Sequence, residues 1–350
     1  MSVRIKNTKH TGGDHPNGPR QQEVKRVLIL PMRRVAGFTL TGLGVFLITQ
    51  AVILPTYVSS HFVKFPLDEH TTAILSGTGV SYFSQVKLKE ETGVRVQATY
   101  TINGDATAGN SSTAVWNQTS SARDLTNGLP VSTMTRRFAF NRRTGQLVDC
   151  CGASVNGNKA IRQTGLVGYL FPIGTKKQTY DVFDTTLNRP VPFTYEGTAG
   201  TEGIQTYVFT ENVAPTQVST ITVPGPFFGL KQKTVKLDQM YQVHLIYWVD
   251  PETGALLNVN ENEKMTLQNP ADGATVAVLF DGDLATTPAT VQHVVNLDSS
   301  ARTKLSLLTT IIPLAAGILG AMALAARIFL AVHKPVKRVL IPAGTAVTGR

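Results

Sequence analysis

The chain predicts a membrane-anchored α+β protein, in which two transmembrane helices, N- and C-terminal, flank a β-rich extracytoplasmic domain. Three observations carry this. Residues 35–54 and 305–326 contain no charged residue, and each reaches the roughly 20 residues a helix needs to cross the hydrocarbon of a bilayer. Basic residues crowd outside both runs: residues 1–34 hold eight Lys/Arg against two acids, and residues 327–350 hold five and no acid. The 246 residues of 59–304 are rich in Thr, Val and Gly and alternate with period two in many places, as half-buried strands do.

Residues 1–34 are expected to form a basic cytoplasmic tail, disordered over 1–31 for want of any periodicity. Residues 35–58 form the first transmembrane helix. Their apolar run exceeds the roughly 7–15 residues of a cleaved signal peptide and no small-residue cleavage site follows, so it reads as an uncleaved anchor. Residues 305–326 form the second helix, with Pro313 opening or kinking it near its outer end. Residues 327–350 form a second basic tail. Basic residues next to membrane ends stay in the cytoplasm, which puts both termini inside, residues 59–304 outside, and the protein in the plasma membrane. The net charge of +10 and pI near 9.6 are therefore a topology signal. No basic stripe with interleaved aromatics occurs in the middle, so nucleic acid is not an expected partner.

Within the outer domain, strands are predicted at 94–102, 178–183, 204–210, 218–223, 241–249, 256–267 and 275–280, where β-branched and aromatic residues alternate with polar ones. Asn103-Gly104 and Asn156-Gly157 read as turns, and Asp250-Pro251-Glu252-Thr253-Gly254 as the turn of a hairpin. Residues 104–128 are small and polar apart from Trp116, which reads as a long loop with strand character around the Trp. At 287–304, Thr287 as N-cap and Pro288 as first helical residue predict a helix leading into the membrane, with Val291, Val294 and Val295 on one face. Gly317, Ala321 and Ala325 repeat every four residues, a spacing that lets helices approach closely in lipid. They are candidates for helix packing or homo-oligomerisation, although Ala and Gly are common in any membrane helix.

No enzyme constellation emerges, and no cofactor or metal is expected. The sequence lacks a nucleophile elbow, a zincin motif, a phosphate loop and a dinucleotide fingerprint. His61, His70, His244 and His293 have no ligand spacing. Asp181 with Asp184, and Asp281 with Asp283, are pairs that a glycan hydrolase could use, but such pairs are usually solvated or form turns. Cys150-Cys151 is compatible with a vicinal bridge, an intersubunit bridge or two thiols, and a vicinal bridge stiffening the turn before Gly152 is favoured. The aromatics Phe171, Tyr180, Phe183, Phe193, Tyr195, Tyr207 and Phe209 read first as the core of one sheet and second as lipid or partner contacts. Phe227 and Phe228, in the apolar turn Pro224–Leu230, read as an exposed contact tip.

Several blocks resemble the actinobacterial porin PorA family, once catalogued as a domain of unknown function. They are Met32-Arg33-Arg34-Val35-Ala36-Gly37-Phe38, residues 42–47 (GLGVFL), residues 63–68 (VKFPLD), and Phe171-Pro172-Ile173-Gly174-Thr175-Lys176-Lys177 with Tyr180-Asp181 and Phe183-Asp184. Residues 203–207 (GIQTY) and 249–254 (VDPETG) join them. The resemblance covers about residues 32–330, so residues 1–31 read as an extension. It implies a two-span, non-enzymatic cell-envelope protein with an outward β-rich domain and no catalytic residues. Through relatives associated with envelope lipid transport, it implies an outer domain that binds envelope lipid or lipoglycan, or docks a lipid transporter. The alternative is a channel or porin formed by oligomerisation. Polarity along the helices is thin for a pore, with Thr39, Thr41, Thr49, Gln50, Ser306, Thr309 and Thr310 the contributors.

Overall fold

The computed structural model describes residues 32–61 and 63–333. The chain opens with helix α1 (Met32–His61), followed by strands β1 (His70–Ser84), β2 (Lys89–Gly104), β3 (Thr113–Asp124) and β4 (Pro130–Asn141). Two short strands, β5 (Leu147–Val148) and β6 (Ser154–Val155), precede β7 (Tyr180–Asp184), β8 (Arg189–Thr201) and the long β9 (Ile204–Pro224). After β10 (Thr234–Val249), β11 (Leu256–Gln268) and β12 (Thr275–Thr286), the chain ends in helices α2 (Pro288–Ser306) and α3 (Ile312–Val332). The expected disorder of residues 1–31, and most of the basic residues used for the topology argument, lie outside the described residues.

The strands form one antiparallel sheet in the order β5-β4-β3-β2-β1-β12-β11-β10-β9-β8-β7, with β6 paired to β4. Chain entry and exit are neighbours, because β1 pairs with β12. The sheet curls until its two edges meet at residues 165–167. On one side Leu147 N–H donates to Gly165 O (2.8 Å) and Val167 N–H to Gly145 O (3.0 Å). On the other, Leu166 N–H donates to Asp181 O (2.8 Å) and Phe183 N–H to Leu166 O (3.0 Å). Joining the edges satisfies backbone groups that would otherwise be left open to pairing with another chain.

Near this junction the concave side is packed with aromatics. Trp116, Phe138 and Phe140 form one cluster, with Trp116 edge-on to Phe140 at 4.7 Å. Phe171, Tyr180 and Phe209 form a second, Phe171 stacking on Phe209 at 4.9 Å. The outer face is polar. Along β11 and β12, Asn260, Asn262, Lys264 and Asp283 point outward and are exposed, with Lys264 paired to Asp281 at 2.6 Å. A barrel that crosses a bilayer by its strands needs an apolar outer band, and this sheet has none along those strands.

Three local expectations change. Residues 104–128 are not one loop: Thr113–Asp124 is a full strand paired along its length with β2 and β4. Ala114, Trp116, Gln118 and Ala122 are buried while Asn117, Thr119 and Arg123 are exposed, so small polar residues hid a real alternation. Asn103-Gly104 is not a turn but the end of β2, paired with β3. The strands predicted at 204–210 and 218–223 are one strand, β9, whose register against β10 shifts near Tyr241–Val243.

Among the described residues, two helices are long and apolar enough to cross a membrane, and the first candidate span is Val35–Pro55. The second runs from α2 through a π-helical turn at Leu307–Ile311 into α3. Pro313 lies just beyond this turn and has no N–H to return to the ladder, and a π turn is one way to absorb such a break. Helices α1 and α3 meet through glycines. A Cβ on Gly320 would lie 2.8 Å from Gly44 O and 3.1 Å from Ile48 N, and one on Gly44 would lie 2.7 Å from Leu324. The stripe that faces α1 thus carries Gly320 and Leu324, whereas Ala321 and Ala325 are exposed and Gly317 is half-buried. The Gly317–Ala321–Ala325 stripe lies beside this contact line and stays a candidate surface for packing against a second copy.

Candidate functional site

Away from the aromatic clusters the concave face turns acidic. Leu245 on β10 pairs with Glu211 of β9 on one side and with Glu261 of β11 on the other, so the two carboxylates share one row of the sheet. Glu263 follows on the same face of β11, opposite Val243. Tyr100 reaches from β2 toward Glu261, its hydroxyl 3.5 Å from Oε2. Next to this row, Tyr241 donates to Asp184 Oδ2 at 3.2 Å.

Burial dominates the electrostatics here. Glu211 is 2% exposed and its Oε1 finds no hydrogen-bond partner. Desolvation, reinforced by the nearby Asp184 charge and opposed by Arg189, pushes its carboxyl up to about 8. Desolvation raises Glu261 too, and carries Glu263, beside the Glu261 carboxylate, well above the usual range. The Glu261 charge and burial together raise the Tyr100 hydroxyl. A buried cation, Arg136, 3% exposed, donates to Gln163 Oε1 (2.7 Å) and Val167 O (3.0 Å). It lies over the rings of Phe138 and Phe183 at 4.7 and 5.1 Å, tying the junction segment to the sheet.

Beside the carboxylates lies a cavity of about 420 Å³ bounded by β1–β4 and β9–β12. At its far end the tip of the β9–β10 hairpin folds inward, and Phe228 stacks on Phe83 at 5.2 Å.

A second polar cluster fastens α2 to the sheet. The turn Asp250–Gly254 presents Thr253, whose hydroxyl donates to Asp298 Oδ1 at 2.5 Å. Arg302 bonds Asp250 at 3.1 Å and Glu252 at 2.7 Å. Burial, with Asp250 close by, raises Asp298 to about 7. Val295, with Val291 and Val294, packs on Ile204 and Leu257, and Thr287 Oγ1 accepts from Thr290 N–H. Gly254 (φ +77°) is required at this point, since a Cβ would fall on the Phe171 carbonyl oxygen, and Phe171 N–H donates to Gly254 O at 2.8 Å.

Of the proposed contact aromatics, Phe171, Tyr180 and Phe183 are buried core residues and Tyr207 is half-buried against Tyr195. A side chain without exposed surface cannot contact a lipid or partner, so the core reading holds for the buried three. Phe227 is 50% exposed, while Phe228 is engaged with Phe83. Cys150 and Cys151 are joined to each other in the turn whose Cys151 carbonyl accepts from Arg137 Nε at 2.9 Å. The aspartate pairs do not form acid–base dyads. Asp184 Oδ1 accepts the N–H groups of Thr186 and Leu187 while Asp181 is exposed, and Asp281 and Asp283 bind Lys264 and Asn262. No group of three or more metal-ligating side chains occurs among the described residues. Glu211, Glu261 and Glu263 were not singled out from sequence, although Val259 and Met265, at the same parity on β11 as Glu261 and Glu263, mark its inner face.

The model of the family described as "Porin PorA" matches residues 36–329. The chain belongs to this family. The match runs from α1 through the whole sheet to α3. A protein named "Porin PorA" from Corynebacterium resistens is 25% identical over 157 residues, an alignment that takes in 31% of this chain. The chain spans only 38% of that relative's length.

Proposed function

We propose that this PorA-family chain is a channel protein of the cell envelope, assembled from several copies. The observation that carries this reading is the porin family's match across both apolar helices and the sheet. It replaces lipid or lipoglycan binding as the leading reading, because the aromatics nominated for lipid contact are largely core residues. The polar outer face of β11 and β12 cannot face hydrocarbon. Passage through the bilayer then falls to α1 and α3, and the curled sheet stays in water. Two helices from one chain enclose no aqueous path, so a pore requires oligomerisation. Both termini lie in the cytoplasm and the sheet lies outside.

The hydroxyls of Thr39, Thr41, Thr49 and Thr309 bond carbonyls one turn earlier in their own helices. These bonds satisfy the hydroxyl protons and leave the oxygens as weak acceptors. Reconstitution of the purified full-length chain in planar bilayers should give discrete conductance steps. Chemical crosslinking should trap oligomers under the same conditions. Absence of steps from a crosslinkable oligomer refutes the channel reading.

A further inference from the structure

The cavity beside Glu261 and Glu263 has two chemically different walls. One is polar: Glu261, Glu263, Tyr100 and Gln239. The other is apolar: Phe83, Ile221, Leu279 and Phe280. Its volume of about 420 Å³ falls in the range of roughly 300–1,000 Å³ typical of small-molecule sites. Among the described residues, no Lys, Arg or His lines it.

Unmet polar capacity lies on the same concave side. Gln118 Oε1, 2% exposed, and Glu211 Oε1 have no hydrogen-bond partner. Gln118 precedes the lining residue Ser120 on the inner face of β3, and Glu211 shares the row of Glu261. Buried polar groups in folded proteins are paired in the large majority of cases. A wall of carboxylates with nothing cationic opposite it, next to an apolar surface, is half of a recognition site.

We propose that this cavity binds a small amphipathic amine, with the ammonium group between Glu261 and Glu263 and the hydrocarbon body against Phe83, Leu279 and Phe280. An ammonium supplies three donors and a positive charge, and could replace the shared proton by which Glu261 and Glu263 now bond each other. A bound ammonium would hold these carboxyls in their ionised form, whereas an anionic amphiphile such as a fatty acid finds no basic side chain in the same lining. The Phe228–Phe83 stack sits at the apolar end and covers the hydrocarbon part. This site goes beyond the channel reading, and ligand binding is measurable whether or not the chain conducts.

The test uses the full-length chain in nanodiscs of neutral phosphatidylcholine, with empty nanodiscs as reference. Octylamine, octanol and octanoate are titrated by calorimetry. Octylamine should bind above the empty-disc signal at least about tenfold more tightly than octanoate, since each factor of ten is about 1.4 kcal/mol of preference. The isosteric double variant Glu261→Gln with Glu263→Gln should lower octylamine affinity about tenfold or more and leave octanol unchanged. Octanol should displace octylamine from the unaltered chain, a measurement that needs no substitution. Equal binding of octylamine and octanoate, an amine affinity unaffected in the folded double variant, or failure of octanol to compete would each overturn the assignment.

Discussion

Replacing Glu211 by Gln should stabilise the protein in mild alkali, which reverses the usual effect of altering a buried residue. Glu211 is 2% exposed and its carboxyl is raised from 4.5 to about 8 by desolvation. Between those values the folded chain keeps a proton that the unfolded chain has released. Stability therefore falls as pH rises, and the loss is complete above the folded value. Each tenfold change in proton affinity is worth about 1.4 kcal/mol, so the rise in this carboxyl sets an upper limit of roughly 5 kcal/mol on the penalty at pH 8 and above. Relaxation and water in the neighbouring cavity bring the realised value to roughly 2–3 kcal/mol. Gln has nearly the same shape, carries no charge and has no penalty to lose. For a chain of this size about 1 kcal/mol moves Tm by roughly 2–4 °C. The Glu211→Gln variant should then melt roughly 4–12 °C above the parent at pH 8 and within about 2 °C of it at pH 5. The assay is thermal unfolding of the full-length chain in non-ionic detergent, followed by tryptophan fluorescence at both pH values. A variant that tracks the parent's pH slope, or is less stable at pH 8, refutes the argument from desolvation.

Three further outcomes follow from packing. Arg302→Met removes the cation that bonds Asp250, which is fully buried, and leaves a buried carboxylate without its ion pair. Denaturant unfolding should show a loss of about 3 kcal/mol, and proteolysis should open the α2 junction first. Gly254→Ala places a methyl on the Phe171 carbonyl at φ +77°. Both strain and displacement of the 171–174 segment act together, so the loss should exceed about 3 kcal/mol, measured by the same unfolding. Gly320→Leu should separate α1 from α3, whereas Ala325→Leu, at an exposed position, should be tolerated. Disulfide trapping between cysteines placed at Ile48 and Leu324 distinguishes them, and equal trapping in both backgrounds would count against the crossing described.

Much of the fold was readable because burial on one face leaves a period in the sequence. Val94–Ile102 and Tyr241–Val249 alternate apolar with polar residues, and both are strands. Thr287-Pro288 marked a helix start because the N-cap and first-turn geometries are local. The misreadings share one cause. In Thr113–Asp124 the inward residues are Ala, Trp, Gln, Ser and Ala, so the contrast between faces is small and only pairing with β2 and β4 reveals the strand. In β11 the inward Glu261 and Glu263 and the outward Asn260 and Asn262 are all polar. Only the flanking Val259 and Met265, at the same parity as the glutamates, signal which row turns inward. On α3, Ala and Gly occur on several faces, so the sequence does not declare which face meets α1.

The sequence by itself determined the order of apolar and strand-rich segments, since segregation of greasy and polar side chains needs only local composition and period. Tertiary structure alone decided that residues 165–167 would join the sheet's edges, that α1 and α3 would cross at Gly44 and Gly320, and that three glutamates would share a concave wall. Those outcomes depend on contacts between residues tens to hundreds of positions apart, and no local pattern encodes which of them will meet.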